Sequence, residues 1–511
     1  MRKEVVKAVI VVFIASFCTM VIELVAGRIM APYVGMSLYT WTSIIGVVLA
    51  GISIGAYVGG VLADRFPTPR TLGWLLFLSG LGALSISPLT EAVARWPLQT
   101  SLMLRILIVT GAIFFLPSFL LGMISPVVVR LSLDRLERSG NVVGKIYAFS
   151  TLGSILGTFA TGFFLISWMG TRNILLLMAA ILIVSSPFFG GAFLRKRVFL
   201  VLFPALVVFL WSIHDQAFKK QRDEDSYFYE ETDYFTIELK QMAKDGRNLE
   251  AVILDNLIHS YVDLKDPFHL QYGYERVYAE LVAWKAAANP EFRALIIGGG
   301  GYTFPRYLEA KYPRAQIDVI EIDPRLTEIA YEHLALAPDT RIRSFNQDAR
   351  WFLMNSPERG VYDFIFGDAY NDLSVPYHLT TKEFSMMIKF LLKPDGMLIV
   401  NIIDHFQRGL FLPSYVRTLK EVFGQEKTCL VADSDFPDMG INTIIVAASV
   451  ADYSWKAVEK HSEGRCFTLE PKELNRQFSS RPAVLLTDDH APVDNLMAPI
   501  FEERFGRNKK G

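Results

Sequence analysis

Residues 293–323 read RALIIGGGGYTFPRYLEAKYPRAQIDVIEID, and this stretch decides the fold of the carboxy-terminal half. Residues 294–297 form a short uninterrupted apolar run, the pattern of a parallel strand buried on both faces. Gly298, Gly299, Gly300 and Gly301 follow, letting the backbone pass close to a ligand and adopt positive φ without steric penalty. A helix and a second strand complete a βαβ unit, and Glu321 closes that strand where it can accept hydrogen bonds from a ribose diol. Four consecutive glycines are not GxGxxG, and no Lys-Ser/Thr pair follows as in a phosphate loop. The pattern therefore points away from a diphosphate and toward a sulfonium nucleoside of the S-adenosylmethionine type. The blander alternative is a tight βα turn with an ordinary strand-end acid.

Downstream, residues 323–334 (DPRLTEIAYEHL) read as a helix, and residues 342–353 (IRSFNQDARWFL) as a short strand followed by Asp348, placed to accept from an adenine amino group. Residues 362–370 (YDFIFGDAY) are the next buried strand, ending in Asp368; residues 389–402 (KFLLKPDGMLIVNI) read as helix, Pro-Asp-Gly turn and strand. This alternation predicts a doubly wound parallel sheet of the Rossmann type, with ligands beyond the carboxyl ends of its strands. Glu321, Asp348 and Asp368 then end three successive strands on one edge. Each alone reads as a loop-capping carboxylate; together, beside one glycine loop, they favour a cationic, hydroxyl-rich ligand. Upstream, residues 227–263 show short β-rich runs about a KDGRN turn at 244–248, predicting a small antiparallel domain before the nucleotide fold.

The amino-terminal half is of another kind. Its apolar windows account for a mean hydropathy of +0.30 and a hydrophobic content of 51%, too apolar for a wholly soluble chain. They cover about residues 8–30, 38–62, 71–89, 103–129, 146–168, 173–193 and 198–213, and most can cross a hydrocarbon core of about 30 Å. About seven spans are expected, the last being short. The first is longer than a signal-peptide core, lacks a small-residue cleavage site and is followed at once by others, so it should stay in the mature chain. Gly51, Gly55 and Gly59, and again Gly153 and Gly157, repeat every four residues and predict close helix packing in lipid. Basic residues cluster in every second connection: Arg2, Lys3 and Lys7; Arg65 and Arg70; Arg130, Arg135, Arg138 and Lys145; Arg195, Lys196 and Arg197. The expected location is thus a cell membrane, multi-pass, with the amino terminus cytoplasmic. Seven spans would put the soluble half outside; if residues 198–213 do not cross, it lies inside. The charged run KKQRDEDS at 219–226 reads as the linker between halves.

Cys18, Cys429 and Cys466 show no CxxC spacing, and the soluble half holds no His/Cys cluster of metal-ligand type. A net charge of -1 without a basic, aromatic-interleaved stripe points to no nucleic-acid partner.

Residues 252–393 resemble the polyamine aminopropyltransferases, the spermidine synthase family, in the branch fused to a multi-span, transporter-like amino-terminal region. The resemblance covers roughly residues 226–450. It rests on VILDNLIHSY at 252–261, IIGGGG where the family has a GGGDG loop, VIEID at 319–323 with its ribose-binding acid, QDAR at 347–350 and GDAYNDLSVPYHLTTKEF at 367–384. By that resemblance Gly298, Gly299, Gly300, Glu321, Asp348, Ala349 and Pro376 hold the nucleoside and Asp368 is the base. Tyr370, Asn371 and Asp372 belong to the catalytic segment on the acceptor side. Tyr274 and Tyr278, with Tyr272, compete for the family's pocket tyrosine, and as core aromatics they would be unremarkable. The family's loop acid is replaced by Gly301, the second acid of its DxxD segment by Asn371 with Asp372 displaced by one, and an early Gln by Phe235. These losses put the diamine putrescine in doubt as acceptor. Asp488 and Asp489, in LLTDDHAPVDNL at 485–496, are compensating candidates against the reading of an ordinary turn.

The resulting expectation is a membrane domain over residues 1–215, a small β-rich domain over 226–280 and an α/β, S-adenosylmethionine-methyltransferase-like catalytic domain over 281–511. The resemblance implies transfer of an aminopropyl group from decarboxylated S-adenosylmethionine as co-substrate to a polyamine or other amine, releasing methylthioadenosine, with no metal. A lipid bilayer is the expected surrounding, and a homo-oligomer is compatible with the sequence. An S-adenosylmethionine methyltransferase and a non-catalytic membrane polyamine sensor or transporter are the alternatives.

Overall fold

A computed structural model describes residues 3–34, 37–93, 102–133, 139–190, 226–255, 257–370, 375–434, 436 and 441–506. The chain divides into two compact units, Met1–Glu224 with Phe505–Gly511, and Asp225–Arg504.

The first unit is helical: α1 (Lys3–Val34), α2 (Leu38–Arg65), α3 (Pro69–Val93), α4 (Leu102–Gly122), α5 (Ile124–Ser132), α6 (Ser139–Ala160) and α7 (Ile166–Phe189). Six stretches among the described residues are long and apolar enough to cross a membrane: Val5–Ala31, Leu38–Arg65, Pro69–Val93, Met103–Ser132, Gly140–Leu165 and Trp168–Phe189. The seventh expected span, 198–213, and the linker up to residue 225 lie outside the described residues. The glycine repeats are packing faces. A Cβ on Gly51 would sit 2.8 Å from Ser118 Cβ, and one on Gly59 2.6 Å from Met123 Cα, so α2 and α4 meet backbone to backbone. Gly153 and Gly157 of α6 lie in the same way against the carbonyls of Phe13 and Phe17 in α1. Such close approach gives these helices extensive van der Waals contact along their glycine faces.

The second unit opens with an antiparallel sheet of β1 (Ser226–Glu231), β2 (Thr236–Lys244), β3 (Arg247–Leu254) and β4 (Leu257–Val262), in that order. Asp245 and Gly246, at φ 51° and 76°, make the two-residue turn between β2 and β3, the left-handed pair that matches strand twist. Helix α8 (Gly273–Ala286) leads into an eight-stranded sheet of order β12-β10-β11-β9-β8-β5-β6-β7. Strands β5 (Arg293–Ile297), β6 (Gln316–Glu321), β7 (Arg343–Asn346), β8 (Tyr362–Gly367) and β9 (Leu392–His405) are parallel. The remaining three, β10 (Thr428–Ala432), β11 (Ile441–Ser449) and β12 (Phe467–Leu469), join by antiparallel pairing, so that β11 and β12 run against the others. The sheet is therefore mixed rather than wholly parallel as the sequence pattern predicts. The link from β10 to β11, residues 433–440, is too short for the helical crossover a parallel pair requires.

The expected Pro-Asp-Gly turn is likewise absorbed into β9. Leu392 already pairs with Tyr362, and pairing resumes at Met397 opposite Phe364, so the intervening residues bulge within one strand. Lys393, whose ammonium lies 2.7 Å from Asp363, ties the bulge to β8. The apolar faces of β5, β6, β8 and β9 meet α8 and the flanking helices in one core that includes Ile296, Val319, Phe366, Ile399 and Tyr278. Between β5 and β8 the chain changes direction across the sheet, leaving a crevice at the carboxyl ends of the strands.

Candidate functional site

The crevice is built from its glycines outward. Gly298 leaves β5 at φ +99°, and a Cβ there would lie 2.9 Å from the carbonyl carbon of Asp368. Asp368 N–H donates to Ile297 O at 2.9 Å, and Gly298 N–H donates to Ile320 O at 2.9 Å. The ends of β5, β6 and β8 are thereby fixed against one another, and only glycine fits between them. Gly300 is also left-handed, at φ +49°, and Gly301 N–H donates to Ser260 Oγ at 2.9 Å.

Glu321, 4% exposed at the end of β6, accepts from Gly299 N–H at 2.7 Å and from Asp323 N–H at 3.0 Å. Burial raises its pKa, against the opposing pull of these backbone donors. Asp348 caps the helix Ala349–Asn355, accepting from Trp351 N–H at 2.9 Å, while its other oxygen lies 3.0 Å from His378 Nε2. Glu321, Asp348, Ala349, Gly298, Gly300 and Pro376 line a cavity of about 160 Å³ together with Tyr234, Phe235, Leu326 and His378.

A second cavity, about 280 Å³, is lined by Tyr272, Tyr274, Glu275, Tyr278, Phe304, Asn401 and Gly299. Gly298, Gly300, His259, Asp368 and Tyr370 line both. Asp368 thus stands in the wall between a space that holds the carboxylates Glu321 and Asp348 and a space that is aromatic and acidic. Its carboxylate accepts from Asn401 Nδ2 at 3.0 Å and from the Tyr274 hydroxyl. Burial outweighs these donors and lifts its pKa to about 6.

The three tyrosines that the sequence leaves in competition are separated by their hydroxyls. Tyr274 reaches Asp368. Tyr278, 1% exposed, turns its hydroxyl to Gly367 O at 3.5 Å, and Tyr272 donates to Ile258 O at 2.6 Å. The Tyr370 hydroxyl is held by the β9 backbone, donating to Asn401 O at 2.7 Å and accepting from Ile403 N–H at 3.0 Å, so only its ring faces the cavities. Asn371 and Asp372 lie outside the described residues.

Asp488 and Asp489 are not brought to the site. Neither lines either cavity. Asp488 instead makes a two-pronged ion pair with Arg350, one bond at 2.7 Å, and its N–H donates to Glu383 Oε2 at 3.0 Å. Thr487 and His490 exchange backbone hydrogen bonds of 3.1 and 3.0 Å, the tight turn of the blander reading. Arg350 also donates to His378 O at 2.9 Å, so the pair braces the segment that carries His378 to Asp348. The position of the missing loop acid is closed as well: a Cβ on Gly301 would lie 2.7 Å from Ser260 Cβ and 2.8 Å from Val262 Cγ2.

Sequence reasoning passed over Glu275, Asn401 and His378. Two of them carry a legible signal, since Glu275 shares a helix face with Tyr278 and Val282, and Asn401 interrupts the apolar run of β9. Among the described residues, no group of three His, Cys, Asp or Glu side chains is arranged to hold a metal ion.

Residues 274–450 match the spermine/spermidine synthase domain family. The polyamine aminopropyltransferase of Vibrio vulnificus (strain CMCP6) is 28% identical over 297 residues, 56% of this chain and 91% of that protein. Polyamine aminopropyltransferase 2 of Aquifex aeolicus (strain VF5) is 24% identical over 430 residues, 80% of this chain and 82% of its own, an alignment longer than the second unit. Among solved structures, a probable spermidine synthase from Corynebacterium glutamicum ATCC 13032 covers 51% of this chain and 94% of its own at 23% identity, with a TM-score of 0.44.

Proposed function

This chain belongs to the polyamine aminopropyltransferase (spermidine synthase) family and is a transferase of that kind, and we propose that it moves the aminopropyl group of decarboxylated S-adenosylmethionine to an amine acceptor with Asp368 as base. The observation that carries this reading is the place of Asp368 in the wall common to both cavities. In the smaller one, Glu321 accepts from the ribose hydroxyls, Asp348 from the adenine amino group, and Pro376 and Leu326 give the base apolar walls. The acceptor enters the larger one. Its nitrogen attacks the carbon next to the sulfonium, the carbon–sulfur bond breaks with its electron pair staying on sulfur, and methylthioadenosine leaves. The proton lost by nitrogen goes to Asp368, whose pKa of about 6 leaves it ionised near neutral pH. The two cavities hold donor and acceptor in line, which supplies the rest of the acceleration.

Absence of lysine and arginine among the described lining residues supports the decarboxylated donor. The α-carboxylate of ordinary S-adenosylmethionine would join Asp368 and Glu275 in a confined space where His259 is the one basic side chain among the described lining residues. The purified full chain, incubated with either donor and a panel of amines, tests this. Methylthioadenosine should form only with the decarboxylated donor and an amine; S-adenosylhomocysteine formed from the ordinary donor would mark a methyltransferase instead.

For the amino-terminal unit, the reading is a multi-pass assembly in a cell membrane with a cytoplasmic amino terminus. Six long apolar helices support it, as does the placement of Lys3, Lys7, Arg65, Arg70, Arg130 and Lys145 at alternate helix ends.

A further inference from the structure

The larger cavity holds a second carboxylate. Glu275, in the first turn of α8, is 3% exposed and lines that cavity with Asp368. Its Oε2 meets no hydrogen-bond donor among the described residues. The same holds for Oδ1 of Asn401, which is 4% exposed and lines the same space. The other end of the Asn401 amide is engaged by Asp368, and the reverse orientation would press Oδ1 against that carboxylate. Arg276, the cation next in sequence to Glu275, is exposed and turns to Asp433 at 3.6 Å and to Gln271 O at 3.0 Å.

Two buried acceptors without donors, beside a further carboxylate, are costly until an occupant brings N–H groups and positive charge. Tyr272, Tyr274, Tyr278 and Phe304 are the aromatic part of the wall, which His259 also lines, and are suited to a methylene chain and to cation–π contact. Resting on the aminopropyltransferase reading, we propose that Glu275 and the side-chain carbonyl of Asn401 hold the far ammonium of a di- or polyamine acceptor while Asp368 receives the proton of the attacking nitrogen. The carboxylate that the glycine loop lacks at Gly301 is thus supplied from α8. Burial, and then the charge of Asp368, raise the Glu275 pKa to about 8 in the empty cavity, a bias that an arriving ammonium reverses.

The test compares the full chain with Glu275→Gln, using 1,4-diaminobutane and n-butylamine as acceptors and calorimetric binding of methylthioadenosine as a check on the donor pocket. The variant should raise KM for the diamine about 10- to 100-fold, leave KM for the monoamine within about 3-fold and bind methylthioadenosine as the wild type does. An unchanged diamine KM, or equal losses with both amines, overturns the proposal. Should Glu275→Gln fail to bind methylthioadenosine, Glu275→Asp replaces it, and must weaken the diamine selectively. Diamine binding is also measured by calorimetry without donor. A wild type that transfers nothing yet binds diamine more tightly than Glu275→Gln rejects the transferase reading and leaves the Glu275 site standing; equal diamine binding rejects the site.

Discussion

Asp368 is set between a burial that favours its acid form and two donors, Asn401 and Tyr274, that favour its anion. Asp368→Asn should lower kcat by about 10²- to 10⁴-fold, the usual worth of a general base. Methylthioadenosine affinity should survive, since Glu321 and Asp348 remain; steady-state rates and calorimetry on the same preparation separate the two effects. The direction of the pKa shift fixes a pH profile as well. With the carboxylate pKa raised to about 6, the base is protonated and idle below that value, so kcat/KM should fall on the acid side through about pH 6. Tyr274→Phe removes a donor to the anion, which raises the pKa further and must move the acid limb to higher pH. A limb that stays put or moves down would deny the Tyr274 contact.

At the scale of elements, glycine does two different things. In the loop after β5 it keeps a wall closed: with Ser260 and Val262 packed on Gly301, an acid there has no room. The resemblance to the family implies that acids restored at Gly301 and Asn371 together should improve use of putrescine. The structure predicts the opposite for Gly301→Asp, a loss of stability of about 1–3 kcal/mol from overpacking and poorer turnover with every amine, read by thermal unfolding and an amine panel. In α2, glycine lets a neighbouring backbone approach. Gly55→Ala should destabilise the helical unit because its Cβ would strike the Phe119 carbonyl. Gly46→Ala, in the same helix, meets nothing within 4 Å and should be neutral or stabilising through helix propensity. Thermal stability of the detergent-solubilised chain, compared between the two, checks this.

For the whole molecule, the open quantity is parity. On the proposed multi-pass reading, six crossings by the long apolar helices would return the chain near residue 190 to the side on which it began. Whether residues 198–213 cross then decides on which side the transferase works. A compartment reporter fused after Gly511, compared with one after Lys196, reads this directly. Opposite sides are expected from seven spans, whereas the same side would mean that the segment does not cross and that donor is drawn from the compartment of the amino terminus.

The chain by itself determined the parts of the site that neighbours in sequence impose. An apolar run followed by glycines specifies a buried strand and a turn wherever it occurs, and Glu321, Asp348 and Asp368 are legible because each follows a strand end. The apolar windows are legible for the same reason. Tertiary structure alone decided which groups from distant segments meet. Glu275 from α8, Asn401 from β9 and Asp368 after β8 converge on one cavity because the first turn of α8 reaches the carboxyl ends of these strands while its last turn, at Lys285, meets Asp395 near their amino ends, a relation no local pattern encodes. Asp488 was a candidate by its neighbours and was lost to Arg350, 138 residues away. The same holds for the mixed sheet and the tyrosines: β11 and β12 run against the other six strands, and helix rotation gave Asp368 to Tyr274 while Tyr278 went to the β8 backbone. Local periodicity fixes that a residue is buried, but the partner it is buried against depends on the faces that other elements present.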